Sequence, residues 1–308
     1  MKSSLRPIIC LAAALLPFAQ VSGQTVNGIF IGKSVENVQT DATTVIPNPQ
    51  TPGPTYGGAY GFQATVEGTG LSAPTVTLAG GSTMPAANAS SHNGGVLGFN
   101  VMDSEWAYGS PNFNNWGATS AAEIDTLFAT GDYTVSVPTF SAVTLTLGTS
   151  LANISSVVAN APLFTLTGGT WSGGVYVVNV NQAVTITSNA FAGFSSNADG
   201  HIGFELFQQG GGLNVNVERL YSDDTGADNF ISYTINANTL ISGQTYSVGG
   251  SFAAVMDVDA TLPGAFVAAY LESSTNFTIS AVPEPSAYAA CAGLAVLGLA
   301  CWRRRRKA

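Results

Sequence analysis

With 308 residues the chain can bury one or two sizeable cores, and its charged residues amount to only 9%. Residues 24–281 contain two basic side chains, Lys33 and Arg219, and 17 acidic ones, so the formal charge of this segment is −15. Phosphate binding needs a patch of Lys and Arg, and we therefore expect no nucleic-acid partner. The three cysteines lie in terminal apolar runs, so residues 24–281 can form no disulfide, thiolate metal site or cysteine nucleophile.

The N-terminus has the pattern of a secretory signal peptide. Lys2 and Arg6 precede an apolar core at residues 8–18, and small residues follow before a cleavage point after Gly23. The apolar core is too short to span a bilayer. Residues 1–23 are therefore predicted to be a cleaved signal helix, with the mature chain beginning near Gln24.

The C-terminus combines a short apolar run with a basic tail. Residues 287–302 are almost wholly apolar, and at about 1.5 Å per residue they are predicted to form a single transmembrane helix, with help from flanking residues. Basic residues then mark a stop on the cytoplasmic side: Arg303, Arg304, Arg305, Arg306 and Lys307. An extended, proline-fixed segment precedes the apolar run: Val282, Pro283, Glu284 and Pro285.

In this order of elements, residues 282–308 resemble the PEP-CTERM sorting signal, which is Pro-Glu-Pro, a short hydrophobic helix and a terminal arginine cluster. The resemblance implies recognition at Pro283, Glu284 and Pro285 by an exosortase, a membrane-embedded processing enzyme, after transient anchoring in the inner membrane. It also implies a Gram-negative-type bacterium that makes extracellular polysaccharide. The expected location is the cell envelope, the outer surface or the extracellular matrix.

The segment between the two ends alternates apolar and polar residues in many short runs. Residues 133–137, 143–147, 213–217 and 231–235 each have the period of a half-buried strand, and glycine pairs recur between such runs. We therefore predict an all-β ectodomain built as an antiparallel β-sandwich or jelly roll. A composition change near residues 148–161 favours two units, 24–150 and 151–280, with one large sandwich as the alternative.

One helix is predicted after Ser120. Ser120 and Glu123 form a capping-box pattern, Ile124, Leu127 and Phe128 share a face, and Gly131 is the expected stop.

Enzymatic chemistry has little support in the sequence. His92 and His201 are the two imidazoles, and both are interpreted as exposed residues of a loop or strand entry. Ser172 lacks the glycine that a nucleophile elbow has two positions earlier. We therefore predict no enzyme, no catalytic residue and no cofactor. Glu205 and Glu218 are kept as a hypothetical acid/base pair of a carbohydrate-active hydrolase, if the fold places them across a cleft.

Acidic clusters raise a second possibility, a structural calcium ion, because hard cations take several oxygen ligands. Their spacing matches no standard calcium loop, so solvated acidic turns are the preferred interpretation. The residues concerned are Asp103 and Glu105, Asp223, Asp224 and Asp228, and Asp257 and Asp259.

An aromatic cluster in a Gly/Asn-rich stretch allows two interpretations, stacking on sugar rings or packing under a loop. Its members are Trp106, Tyr108, Phe113 and Trp116. Trp171 is predicted to be a core residue beside a turn.

The sequence thus predicts a non-enzymatic surface or matrix protein that functions in adhesion or biofilm and exopolysaccharide association. The alternatives are a secreted hydrolase and a carbohydrate-binding module.

Overall fold

The computed structural model describes residues 23–49, 59–78, 97–100, 105–107, 115–195, 199–283 and the three positions 293, 296 and 297. Strands dominate this part of the chain, which confirms the predicted β-rich class. In the first half the strands are β1 (Thr25–Gln39), β2 (Val45–Pro47), β3 (Tyr60–Thr69), β4 (Thr75–Leu78), β5 (Gly98–Asn100), β6 (Glu105–Ala107), β7 (Asn115–Ala118), β8 (Gly131–Ser136) and β9 (Val143–Leu147). In the second half they are β10 (Phe164–Thr167), β11 (Gly169–Ser172), β12 (Val175–Asn179), β13 (Val184–Ser188), β14 (His201–Gln208), β15 (Asn214–Leu220), β16 (Ser232–Ile235), β17 (Thr245–Val258) and β18 (Phe266–Val282).

A 12-stranded sheet forms the body of the molecule. Its main order is β15-β14-β17-β18-β1-β3-β6-β5, and β2, β7, β11 and β12 pair alongside this path. The prediction of a purely antiparallel sheet is wrong at β18, which runs parallel to both β1 and β12. β1 and β18 come from opposite ends of the ectodomain, so no hairpin joins them and either direction of pairing was open.

The three long strands β1, β17 and β18 give the large sheet two distinct faces. Successive side chains of a strand point to opposite sides, so residues two apart share a face. We call the side that carries Ile29, Ile31 and Val267 the inner face, and the side that carries Glu272, Ser274 and Asn276 the outer face. The inner face bears the hydrophobic core, whereas the outer face is mainly polar.

Two small sheets pack side by side on the inner face. The sheet β4-β8-β9 and helix α1 (Ala121–Leu127) cover the end that includes β3, where Phe62 stacks on Phe128 with ring centroids 4.0 Å apart. The sheet β10-β13-β16 covers the other end, where Phe191 stacks on Phe252 at 4.9 Å. Packing of one sheet over another buries the apolar side chains of both, as in β-sandwiches.

The large sheet takes strands from both sides of the predicted boundary at residues 150/151. In addition, Gln39 on β1 makes two hydrogen bonds to the backbone of Phe164 on β10, at 2.7 and 2.8 Å. A short 3₁₀ helix (Leu151–Ser156) lies at the boundary itself. The division into two units, 24–150 and 151–280, stays a prediction.

Helix α1 begins as the sequence predicts. Ser120 caps it by accepting a hydrogen bond from the backbone N–H of Glu123 at 3.2 Å, and Ile124 is fully buried. The Glu123 carboxylate accepts from the N–H of Thr119 rather than from that of Ser120. The cap at the C-terminal end is Phe128, and Gly131 instead opens β8.

A buried ion pair fastens α1 to the large sheet. Lys33 is an inner-face residue of β1 with no solvent exposure, and its Nζ donates to Asp125 Oδ1 on α1 at 2.8 Å. Asp125 also accepts from the backbone N–H groups of Leu151 and Ala152, at 2.7 and 2.9 Å. Burial lowers the pKa of Lys33. Burial acts to raise the pKa of Asp125, but the hydrogen bonds from Lys33 and the two backbone groups outweigh it and hold that pKa low.

No helix in the described part of the chain is long and apolar enough to cross a membrane. The predicted signal helix at residues 1–23 is described at Gly23 only, and the predicted transmembrane helix at 287–302 at three positions only. Both predictions therefore lie almost wholly outside the described residues.

Replacing Lys33 tests how much the buried pair contributes to stability. Lys33→Met should lower the free energy of unfolding by about 3 kcal/mol, because a partly buried carboxylate then loses its cation. Urea denaturation at pH 7 measures this difference. The double variant Lys33→Met, Asp125→Asn should recover most of the loss, and a single variant as stable as the wild type would show that the pair adds nothing.

Candidate functional site

The outer face of the large sheet carries glutamates but, among the described residues, no Lys or Arg. Lys33 and Arg219 are the two basic residues of the described segments, and strand alternation puts both on the inner face. Arg219 donates there to the carbonyls of Asp228 and Phe230 and lies over the Phe194 ring. Six glutamates share the outer face: Glu36, Glu67, Glu105, Glu205, Glu218 and Glu272.

Three of these glutamates line one small pocket. Glu205 on β14, Glu218 on β15 and Glu272 on β18 surround a space of about 30 Å³. Gly203 and Ser251 lie between them, on the adjacent strands β14 and β17. Because Gly203 and Ser251 are small, they leave an open space at the centre of the pocket, and the longer glutamate side chains enclose it.

Gly203 leaves room for the side chains of its neighbours. A β-carbon at this position would lie 2.7 Å from the Ser251 hydroxyl oxygen and 2.9 Å from Glu218 Oε2. Because both distances are below normal contact, any larger residue would displace the two side chains or fill the pocket.

His201 lies beside the pocket and is not the exposed residue that the sequence suggested. It is the first residue of β14, is 2% exposed, and pairs across the sheet with Leu220 and Ala253. Its Nε2 lies 2.8 Å from Glu218 Oε2, although neither atom has a partner in hydrogen-bonding geometry. Burial lowers the pKa of His201 to about 4, so the imidazole is neutral at pH 7.

Burial also keeps the pocket carboxyls partly protonated. It raises the pKa of Glu218 to about 9, and it raises those of Glu205 and Glu272 to about 7. Charge repulsion from Glu218 adds to the shift of Glu205, whereas attraction to His201 opposes the shift of Glu272. The site is thus a desolvated group of carboxyls whose ionisation lacks a compensating charge.

Glu36 shows how a carboxylate on the same face can be satisfied. Its Oε1 accepts hydrogen bonds from the amides of Asn48 and Asn276, at 2.8 and 3.1 Å. Burial still raises the pKa of Glu36. The three pocket glutamates have atoms that lack such partners: Glu205 Oε1, Glu218 Oε2 and both carboxylate oxygens of Glu272.

The structure brings together Glu205 and Glu218, which the sequence named as a hypothetical pair. It adds two residues that sequence reasoning missed, Glu272 and Ser251. The signal for Glu272 was its place in a long alternating run, where it shares a face with Ser274 and Asn276. The run does not reveal which strands flank it.

Of the acidic residues considered for calcium, Asp257 and Asp259 accept hydrogen bonds from the backbone. Asp257 accepts from the backbone N–H of Thr146 and so links β17 to β9, and Asp259 accepts from the N–H of Thr261. The residues Asp223, Asp224 and Asp228 are exposed on a turn. Asp103 lies outside the described residues, and Glu105 is a buried residue of β6.

The aromatic cluster is only partly described. Trp106 packs against the core around β3, and its ring meets that of Phe99 edge-on at 5.4 Å. The described part of the chain does not include Tyr108, Phe113, His92 or the side chain of Trp116. Trp171, predicted to be a core residue, is half-buried and packs against the core, with its ring 5.5 and 5.7 Å from those of Tyr176 and Phe277.

Comparison with known proteins bears on the C-terminus. Residues 281–306 match the PEP-CTERM protein-sorting motif. The motif implies an exported cell-surface protein that an exosortase processes. The match begins within β18, while Glu284, Pro285 and the arginine cluster lie outside the described residues. The individual roles of the motif residues stay predictions.

No curated protein matches the chain. Among solved structures, it is similar to the chicken CNTN1 FN1-FN3 domains, at 12% identity over 84% of this chain and 67% of that one. The TM-score of 0.19 is too low to support an argument about the fold.

The raised pKa values predict a protein that is more stable in mild acid. The pKa is about 7 for Glu205 and Glu272 in the folded state and about 9 for Glu218. Between about pH 4.5 and these values, the folded protein therefore binds more protons than the unfolded chain does. The free energy of unfolding should therefore fall as pH rises through this window, by about 1.4 kcal/mol per pH unit for each proton of difference. His201 contributes the opposite slope between pH 4 and 6.5.

Denaturation series between pH 5 and pH 9 measure this dependence. Glu218→Gln should flatten the upper part of the curve, where Glu218 alone of the three still titrates. A wild-type curve that rises from pH 5 to 9 would contradict the assignment.

Proposed function

From the PEP-CTERM sorting motif at residues 281–306, we propose that this chain is a non-enzymatic surface or matrix protein whose ectodomain associates with extracellular polysaccharide. The motif is the observation that carries the proposal, because it directs the chain to an exosortase. In this proposal the signal peptide starts export, the apolar segment holds the chain in the inner membrane, and processing then transfers the ectodomain to the outer surface or the matrix.

The position of the motif relative to the fold supports processing there. β18 ends at Val282, and Pro283 follows it directly. β18 is paired along its length, with β17 on one side and β1 and then β12 on the other. Cleavage beyond Pro283 would therefore leave every described strand intact, so the ectodomain can stay folded after its tail is removed.

The outer face supports polysaccharide association. Half-exposed hydroxyl side chains lie along β18 and β1 there, among them Ser34, Ser274 and Thr278. Such groups can hydrogen-bond sugar hydroxyls directly or through water. The negative charge of this face favours a neutral or cation-bridged polymer over a highly anionic one.

The size of the pocket supports a non-enzymatic role. Its volume of about 30 Å³ is far below the roughly 300 Å³ at which sites for small organic ligands begin. A sugar ring does not fit in such a space, whereas a water molecule or a single ion does.

Cell fractionation of a polysaccharide-producing host tests the sorting step. The variant Pro283→Ala, Glu284→Ala should accumulate at full mass in the membrane fraction, while the wild type loses its tail and is recovered with the matrix. Ser286→Ala, just beyond the motif, is the matched control and should behave as the wild type. A wild-type protein that keeps its tail would refute processing, and one recovered wholly as a free soluble species would refute matrix association.

A hydrolase is the second candidate, because Glu205 and Glu218 line the same pocket with pKa values raised to about 7 and about 9. In glycosidases, a carboxyl group that stays protonated near neutral pH acts as the acid, and a second carboxyl group lies close to it. Incubation of the purified protein with host polysaccharide, followed by a reducing-end assay, distinguishes the two functions. Activity lost in both Glu205→Gln and Glu218→Gln would establish the enzyme, and no release above background from the wild type would support the non-enzymatic role.

A further inference from the structure

We propose that the outer-face pocket binds one hard divalent cation, with Glu205, Glu218 and Glu272 as its carboxylate ligands. This site is distinct from the acidic turns considered in the sequence, and it does not depend on the proposed polysaccharide association.

The first support is the set of buried oxygens without partners. Glu272 is 1% exposed, lines the pocket, and has no partner in hydrogen-bonding geometry at either carboxylate oxygen. Ser251 lines the same pocket, but no bond from its hydroxyl to Glu272 meets hydrogen-bonding geometry. Buried polar groups are almost always satisfied, so these oxygens indicate a ligand with positive charge.

The second support is the absence of a compensating charge from the protein. The titratable groups that line the pocket are Glu205 from β14, Glu218 from β15 and Glu272 from β18, while β17 contributes only glycine and serine. On the same face His201 lies beside Glu218, and Glu36 pairs across the sheet with the lining residue Ser274. The described outer face has no Lys or Arg. The partly buried Asp125, in contrast, has Lys33.

The third support is space of the right size. The volume of about 30 Å³ fits one ion with a water, and Gly203 keeps it open because a β-carbon there would lie 2.9 Å from Glu218 Oε2. Oxygen-bearing side chains prevail in the lining, since the three glutamates are joined by Ser251, Ser274 and Asn276. Such a set favours calcium, magnesium or manganese over softer metals.

Binding requires the glutamate side chains to rotate. Among the described residues, no three His, Cys, Asp or Glu groups already surround a common point as metal ligands do. The strand ladders fix the backbone of all three glutamates, whereas their side chains have several rotatable bonds. A cation would therefore gather carboxylates that otherwise repel one another.

Thermal unfolding of the purified full-length chain with Ca²⁺, Mg²⁺ or Mn²⁺ alone tests the proposal. After treatment with EDTA, a millimolar concentration of at least one of these ions should raise the Tm by about 5 °C or more at pH 7.5. Isothermal titration calorimetry should give one ion per chain.

Three variants locate the site. Glu272→Gln should weaken binding at least tenfold, and so should Gly203→Ala, which keeps every carboxylate but fills the pocket. Asp223→Asn removes a carboxylate from an exposed turn and should bind as the wild type does. No rise in wild-type Tm with any of the three ions would overturn the proposal. An equal rise in the Gly203→Ala and Glu272→Gln variants would also overturn it, since the ion would then lie elsewhere.

Discussion

The alternation of side chains along β1, β17 and β18 is the constraint on which the rest of the structure depends. Because residues two apart share a face, one long strand such as β18 contributes Val267, Leu271 and Phe277 to the core and Glu272 and Asn276 to the opposite side. A shift of one residue in the register between β17 and β18 would exchange these sets and bury carboxylates in the apolar core. The hydrophobic inner face therefore fixes the geometry of the acidic outer face, although the two share no side chain.

Local features of this fold were predictable from the sequence, and features that depend on distant pairing were not. The strand at residues 143–147 and the Ser120 cap of α1 follow from residues within a few positions of each other, and both are confirmed. The parallel pairing of β1 with β18 joins residues more than 230 positions apart, and the alternating pattern is compatible with either strand direction. The exposure of His201 was misjudged for the same reason, since its burial comes from Leu220 and Ala253 on neighbouring strands.

The candidate site shows the same limit. The sequence named Glu205 and Glu218 as a hypothetical acid/base pair without placing them, and the antiparallel pairing of β14 with β15 puts both on one face. Glu272 joins them only because β17 lies between β14 and β18, an order that the sequence does not reveal. Buried carboxyls without partners reduce stability, so their presence together on one face indicates a role that apolar residues could not fill.

The direct passage from β18 into the sorting motif also determines how the ectodomain bears mechanical load. Any tension applied at the C-terminus enters along the axis of a strand flanked on both sides by long partners. The ladder hydrogen bonds lie across that axis, so tension loads them together in shear. If an edge strand were peeled away instead, the same bonds would open one at a time. A surface protein held by this end would thus transmit force through its most extensively bonded strand.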